Sequence, residues 1–189
     1  MKYQPFQTVF AHSTNMGVLH AMMRSLESQP DAPDYVVPPA VFMAFTLEGY
    51  LNTLGSRVIP GWEELERLPW KTKITLLHSF VGRAPDWGSP PLQFARRIFK
   101  IRDHLAHGKP ETSRGPRFPD KEEAARYMAT NSLQPRWYQD LNKAWIQEAY
   151  RNLTGLLGYL SELHGLHYEC HLMSAIGGID EIEEENAPT

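Results

Sequence analysis

Apolar residues recur along most of the chain at intervals of three and four, the period of helices that bury one face. Met16, Leu19, Met22, Met23 and Leu26 predict a first helix over about 13–29, with Ser13 or Thr14 placed to cap it. Pro30, Pro33, Pro38 and Pro39 then interrupt the pattern. A second helix is expected from Pro39 to Leu54, since proline at the first helical position gives up an N–H that has no partner there anyway. Gly55 stands where it would end. A short helix over 61–68 comes next, then one through Lys71, Ile74, Leu76, Leu77 and Phe80. Leu92, Phe94, Ala95, Ile98, Phe99, Ile101, Leu105 and Ala106 predict a helix from Pro90 or Pro91 to His107, stopped by Gly108 and Pro110. Asp120 is placed to cap a helix over 121–128, and the longest helix is expected from Tyr138 to about His164. Strand signal is weak and no repeat is evident, so the pattern predicts an all-α fold, one domain over residues 1–177.

Composition narrows the classes further. A chain of 189 residues, 42% hydrophobic, has enough apolar material for one sizeable core. No apolar run approaches the ~20 residues of a membrane span, and the first residues lack the apolar stretch of a secretion signal. The lone Cys170 excludes an intramolecular disulfide and suits a reducing, cytoplasmic setting. Net charge is −3, which gives no global attraction for nucleic acid.

Charge is nevertheless unevenly spread. Between Leu92 and Phe118 stand Arg96, Arg97, Lys100, Arg102, Lys109, Arg114 and Arg117 against only Asp103 and Glu111. After Arg151 there is no Lys or Arg, and Asp180, Glu181, Glu183, Glu184 and Glu185 follow. The basic stretch reads either as a solvated helix face or as a surface for a phosphate backbone, and Gly108–Pro119 reads as an exposed loop beside it. The acidic residues 178–189, nearly free of aromatics, are expected to be disordered.

The segment Arg102-Asp103-His104-Leu105-Ala106-His107-Gly108 carries the chemistry. At about 100° per residue Arg102 falls between Phe99 and Leu105, inside the apolar stripe. A guanidinium there needs a partner or a ligand. Glu48, among Val41, Ala44, Phe45 and Leu51, with Asn52 one turn on, supplies a carboxylate and an amide on another apolar face that are placed to meet it. Asp103 lies one turn before His107 and His104 three residues before it. Imidazole transfers protons near neutral pH, and guanidinium suits the charge of a phosphoryl group.

These residues, Glu48-Gly49-Tyr50-Leu51-Asn52 and then Ile101 to Gly108, resemble the HEPN superfamily of small helical domains, whose signature is an Arg, a polar residue after it and a His a few positions on. Here those are Arg102, Asp103 and His107. The resemblance spans about Ala40 to Gly108 and departs from the family in having Asp103 where Asn is frequent. It implies a four- to five-helix bundle with additional short helices, usually dimeric. Active members are metal-independent endoribonucleases of toxin–antitoxin, defence and RNA-processing systems; other members are non-catalytic modules that bind a protein or nucleotide.

On the catalytic reading, RNA is the partner and the product is a 2′,3′-cyclic phosphate. Arg102 stabilises phosphate, His107 acts as general acid or base, Asp103 orients it, and Glu48, Asn52 and His104 support them. Arg96, Arg97, Lys100, Lys109, Arg114 and Arg117 hold the backbone. A homodimer would pool two copies of Arg102 and His107 in one composite site, with no cofactor and no metal, and an antitoxin or other protein is the further partner the family suggests. A rival site is His164, His167, Cys170 and His171, three of which share a face at i, i+3 and i+7 and suit a metal such as Zn²⁺ if the last long helix continues through Gly165.

Overall fold

The computed structural model describes residues 2–139, 141–167 and 175–182, leaving aside the side chains of Arg136, Gln139 and Ile182. The chain is mostly helical. In order it forms strand β1 (Lys2–Val9), helices α1 (Ala11–Leu26) and α2 (Pro33–Val58), a 3₁₀ turn (Trp62–Glu64), then α3 (Trp70–Phe80), α4 (Pro90–His107), α5 (Lys121–Thr130), α6 (Arg136–Gln139) and α7 (Lys143–Leu163), and strand β2 (Ala175–Ile182).

Helix α2 is the centre of the bundle. Val36, Ala40, Met43, Leu47, Leu51 and Leu54 recur along it at three and four residues and are all buried, and α1, α3, α4 and α7 pack on its different sides. Leu92, Ala95, Ile98 and Phe99 of α4 join Ile146, Leu153, Leu156, Leu157 and Leu160 of α7 in the same core. Each of the larger of these side chains, the Val, Leu, Ile, Met and Phe, contributes roughly 1.5–3 kcal/mol when taken out of water. The Tyr50 hydroxyl hydrogen-bonds Ser161 Oγ across the core, tying α2 to α7.

The second helix starts earlier than its prolines suggest. It begins at Pro33 and runs through Pro38 and Pro39. Those two rings give up two N–H groups near the helix start, while burial of Val36, Pro39 and Ala40 holds the turn in the core. Its end also passes Gly55, because that glycine is where the indole of Trp62 lies; a Cβ there would stand 2.1 Å from the ring. The Asp120 cap is as expected, its carboxylate accepting the Glu123 N–H at 2.8 Å, and α7 is capped the same way by Asn142, well inside the expected start at Tyr138.

Two corrections concern the chain ends. The fold is not purely α: β1 and β2 pair antiparallel, Lys2 opposite Ile182 and Val9 opposite Ala175. Residues 178–182, expected without order, belong to that ribbon; 183–189 lie outside the described residues. Tyr3, Phe6, Thr8 and Val9 are strand-favouring residues without a clear alternation, and pairing with a segment far along the chain completes the strand.

Candidate active site at the end of helix α4

Glu48, projecting from the middle of α2, reaches two cations from two other helices. Its Oε1 stands 3.4 Å from Lys73 Nζ of α3, and its Oε2 stands 3.4 Å from an Arg102 guanidinium nitrogen of α4. The second Arg102 nitrogen is 3.1 Å from Asp103 Oδ1. The lysine side chain is only 1% exposed, against 24% for Arg102 and 38% for Glu48. Lys73 lies on the inner face of α3 with Ile74 and Leu77, the same reasoning by which Arg102 falls on the inner face of α4. Sequence reading applied that test to Arg102 and passed over Lys73. The guanidinium also sits 5.3 Å over the Phe99 ring, which adds a cation–π contact.

The expected Glu48–Arg102 pair is therefore present, and the expected help from Asn52 is not. Asn52 Oδ1 is buried without a hydrogen-bond partner among the described residues, and the residue lines a separate 300 Å³ cavity with Phe10, Thr53 and Trp62. Leu105 and Ala106, assigned to the buried stripe, are exposed: the last turn of α4 runs out beyond the core.

Beside that last turn lies an open cleft of 540 Å³, lined by Trp70 and Lys71 of α3, Arg96, Lys100, Asp103, His104 and His107 of α4, and Gly108, Lys109 and Glu111 of the segment after it. One wall is aromatic, because Trp70 stacks on Phe99 with ring centres 4.5 Å apart and planes 9° apart. The opposite side is braced by Glu111, which accepts the Trp137 indole N–H at 3.2 Å and stands 3.7 Å from His104 Nδ1, while His104 and Trp137 stack at 5.0 Å. Trp70, Lys71, Glu111 and Trp137 went unnoticed in the sequence, since their meeting depends on how α3, α4 and α6 pack.

The site residues expected from sequence divide into three groups. Asp103, His104, His107, Arg96, Lys100 and Lys109 meet in the cleft. Arg102 and Glu48 sit behind it, and Arg102 is not among the lining side chains; its guanidinium turns to Glu48 and Asp103. Arg97 stacks 4.8 Å over Trp145 toward α7, and Arg114 and Arg117 are exposed outside the cleft. Of the cleft's basic side chains, Arg96, Lys100 and Lys109 make no ion pair or side-chain hydrogen bond among the described residues, and neither does the His107 imidazole; Lys71 lies 5.1 Å over the Trp87 ring, and both acids there are engaged. The cleft therefore presents basic side chains to solvent beside an aromatic wall.

Among the described residues no group of three or more His, Cys, Asp or Glu is disposed to hold a metal. Of the rival histidine set, His164 ends α7 beside Phe80, Gly165 turns the chain with φ of 66°, and Cys170 and His171 lie outside the described residues. No protein-family model, curated protein or solved structure matches this chain.

Two expected outcomes follow from these charges. Glu48→Gln leaves the buried Lys73 ammonium without its carboxylate and, with Glu48 itself partly exposed, is expected to cost about 3 kcal/mol in chemical denaturation, with most of it regained when Lys73→Met is added to the same variant; equal losses in single and double variants would contradict the pairing. His164 is held below its ordinary 6.5 by burial and, second, by His78, and its Nε2 has no hydrogen-bond partner among the described residues. The unfolded chain therefore takes the proton more readily, so stability is full above 6.5 and falls as pH drops through that value toward the lowered folded one. His164→Gln is expected to flatten that part of the denaturation-midpoint profile, and an unchanged slope would count against it.

Proposed function

We propose that this chain binds RNA along the α4 cleft and cleaves it without a metal ion, as its likeness to the HEPN superfamily suggests. The observation that carries the reading is the set of unpartnered Arg96, Lys100, Lys109 and His107 converging with His104 on one aromatic-walled cleft. Lysine and arginine hold the sugar-phosphate, and the Trp70 wall offers a face to a base.

Cleavage needs a proton removed from the ribose 2′-OH as it attacks phosphorus, and one given to the departing 5′-oxygen, which leaves a 2′,3′-cyclic phosphate on one product. His107, without a partner, is the base. His104 is the acid, its ring oriented by the Trp137 stack and by Glu111 at Nδ1, so that Nε2 is left for the substrate. One chain thus carries both imidazoles, and the composite dimer site expected from sequence becomes unnecessary for the proton transfers. Arg102 acts as a positioning residue: it fixes Asp103 and the last turn of α4 instead of touching phosphate.

A second reading, a non-catalytic RNA-binding module, is favoured by one observation, the engagement of Arg102 by two carboxylates. The test is cleavage of mixed single-stranded RNA in EDTA. Wild type is expected to release cyclic-phosphate ends, with His107→Ala and His104→Ala each slower by about 10²-fold or more and helical by circular dichroism. RNA binding without cleavage would leave the module reading. Cleavage that requires Mg²⁺, or that survives His107→Ala, would overturn the mechanism.

A further inference from the structure

Two features of this molecule are open to solvent among the described residues, and they are opposite in charge. One is the cleft with its free Arg96, Lys100 and Lys109. The other is the β1–β2 ribbon. All eight residues of β1 are exposed, and so are the described side chains of β2; Tyr3 is 65% and Ile179 71% exposed. By register Tyr3, Pro5, Gln7 and Val9 share a face with Glu181, Ile179, Gly177 and Ala175, so that side shows solvent Tyr3, Pro5, Val9 and Ile179, with Glu181 at its far end. A two-stranded ribbon of this kind has little stability by itself and gains it by docking.

The direction of the ribbon decides what its tip offers. Val9 leads through Phe10 into α1, so the Val9–Ala175 end adjoins the helices and the Lys2–Ile182 end is the far one. Eight residues at about 3.3 Å each put that far end roughly 25 Å out. There stand Asp180 and Glu181, exposed and without an ion pair among the described residues, and the sequence continues with Glu183, Glu184 and Glu185. Lys2 is the one base at that end. Neither Asp180 nor Glu181 lines the chain's own cleft.

We propose that the acidic end of the ribbon of one copy seats in the α4 cleft of a second copy, and that the exchange is reciprocal. Carboxylates then meet Arg96, Lys100 and Lys109 where phosphates would, and the apolar side of the arm gains cover against the cleft's Trp70 wall. RNA and the arm compete for the same cations, so pairing of copies holds the cleft closed until RNA displaces it. That consequence rests on the RNA-binding reading; the pairing itself does not.

Light scattering on the full chain tests it. At low salt the mass is expected to be twice the 21.7 kDa of one chain, falling to one chain at high salt. Lys100→Glu, and separately Asp180→Lys with Glu181→Lys, are each expected to weaken pairing by about tenfold or more. Mixing the two variants restores complementary arms and clefts, and with them the double mass. A wild type of single mass at low salt, either variant pairing as wild type does, or a mixture that stays single, would overturn the proposal. A short single-stranded RNA is expected to return wild type to single mass; RNA that binds and leaves the pair intact removes the competition. Charge-swapped pairing that behaves as stated in a protein that binds no RNA would instead sink the proposed function and leave the exchange standing.

Discussion

A single carboxylate, Glu48, answers two cations that arrive from different helices, and the arrangement of α2, α3 and α4 depends on it. Lys73 is almost wholly buried and has Glu48 as its acceptor; Arg102 is half-buried and shares the same group. At 3.4 Å each contact is longer than a tight charge-assisted bond, so the carboxylate balances two neighbours instead of closing on one. Breaking such a set leaves a charge without compensation in the core, which is far more costly than the set is stabilising.

The same arrangement sorts the positive charge of α4. Arg102, on the inner side, is neutralised by Glu48 and Asp103. Arg97 is turned to Trp145. Arg96 and Lys100 face the cleft without an ion pair among the described residues, joined by Lys109 from the loop. One helix thus carries structural and ligand-ready cations within seven residues, and their roles are set by which neighbouring helix each meets. Asp103 belongs to both groups, since it pairs with Arg102 and also lines the cleft, and it links the buried charges to the open ones.

Much of this was legible in the sequence, for a physical reason. Helical periodicity fixes which side chains share a face, so the α4 helix, its stop at Gly108 and the Glu48–Arg102 partnership could be read from spacing. Periodicity says nothing about which helix lies across a groove. Lys71, Trp70, Glu111 and Trp137 reach the cleft through packing of segments distant in sequence, and Asn52, on the expected helix, points into a different cavity. Leu105 and Ala106 follow the apolar period yet are exposed, because α4 outruns the core it packs on. The β1–β2 ribbon was hidden for a similar reason: each strand is short, and its partner lies at the other end of the chain.

The partition of the α4 cations is the central claim, and the salt dependence of binding to a short single-stranded RNA in EDTA measures it directly. Each phosphate neutralised steepens the log–log dependence by about 0.7, so Arg96, Lys100 and Lys109 together predict a slope of about −2. Lys100→Ala is expected to flatten the slope by about 0.7, and Arg102→Ala to leave it unchanged. A slope flattened by Arg102→Ala and untouched by Lys100→Ala would contradict that partition.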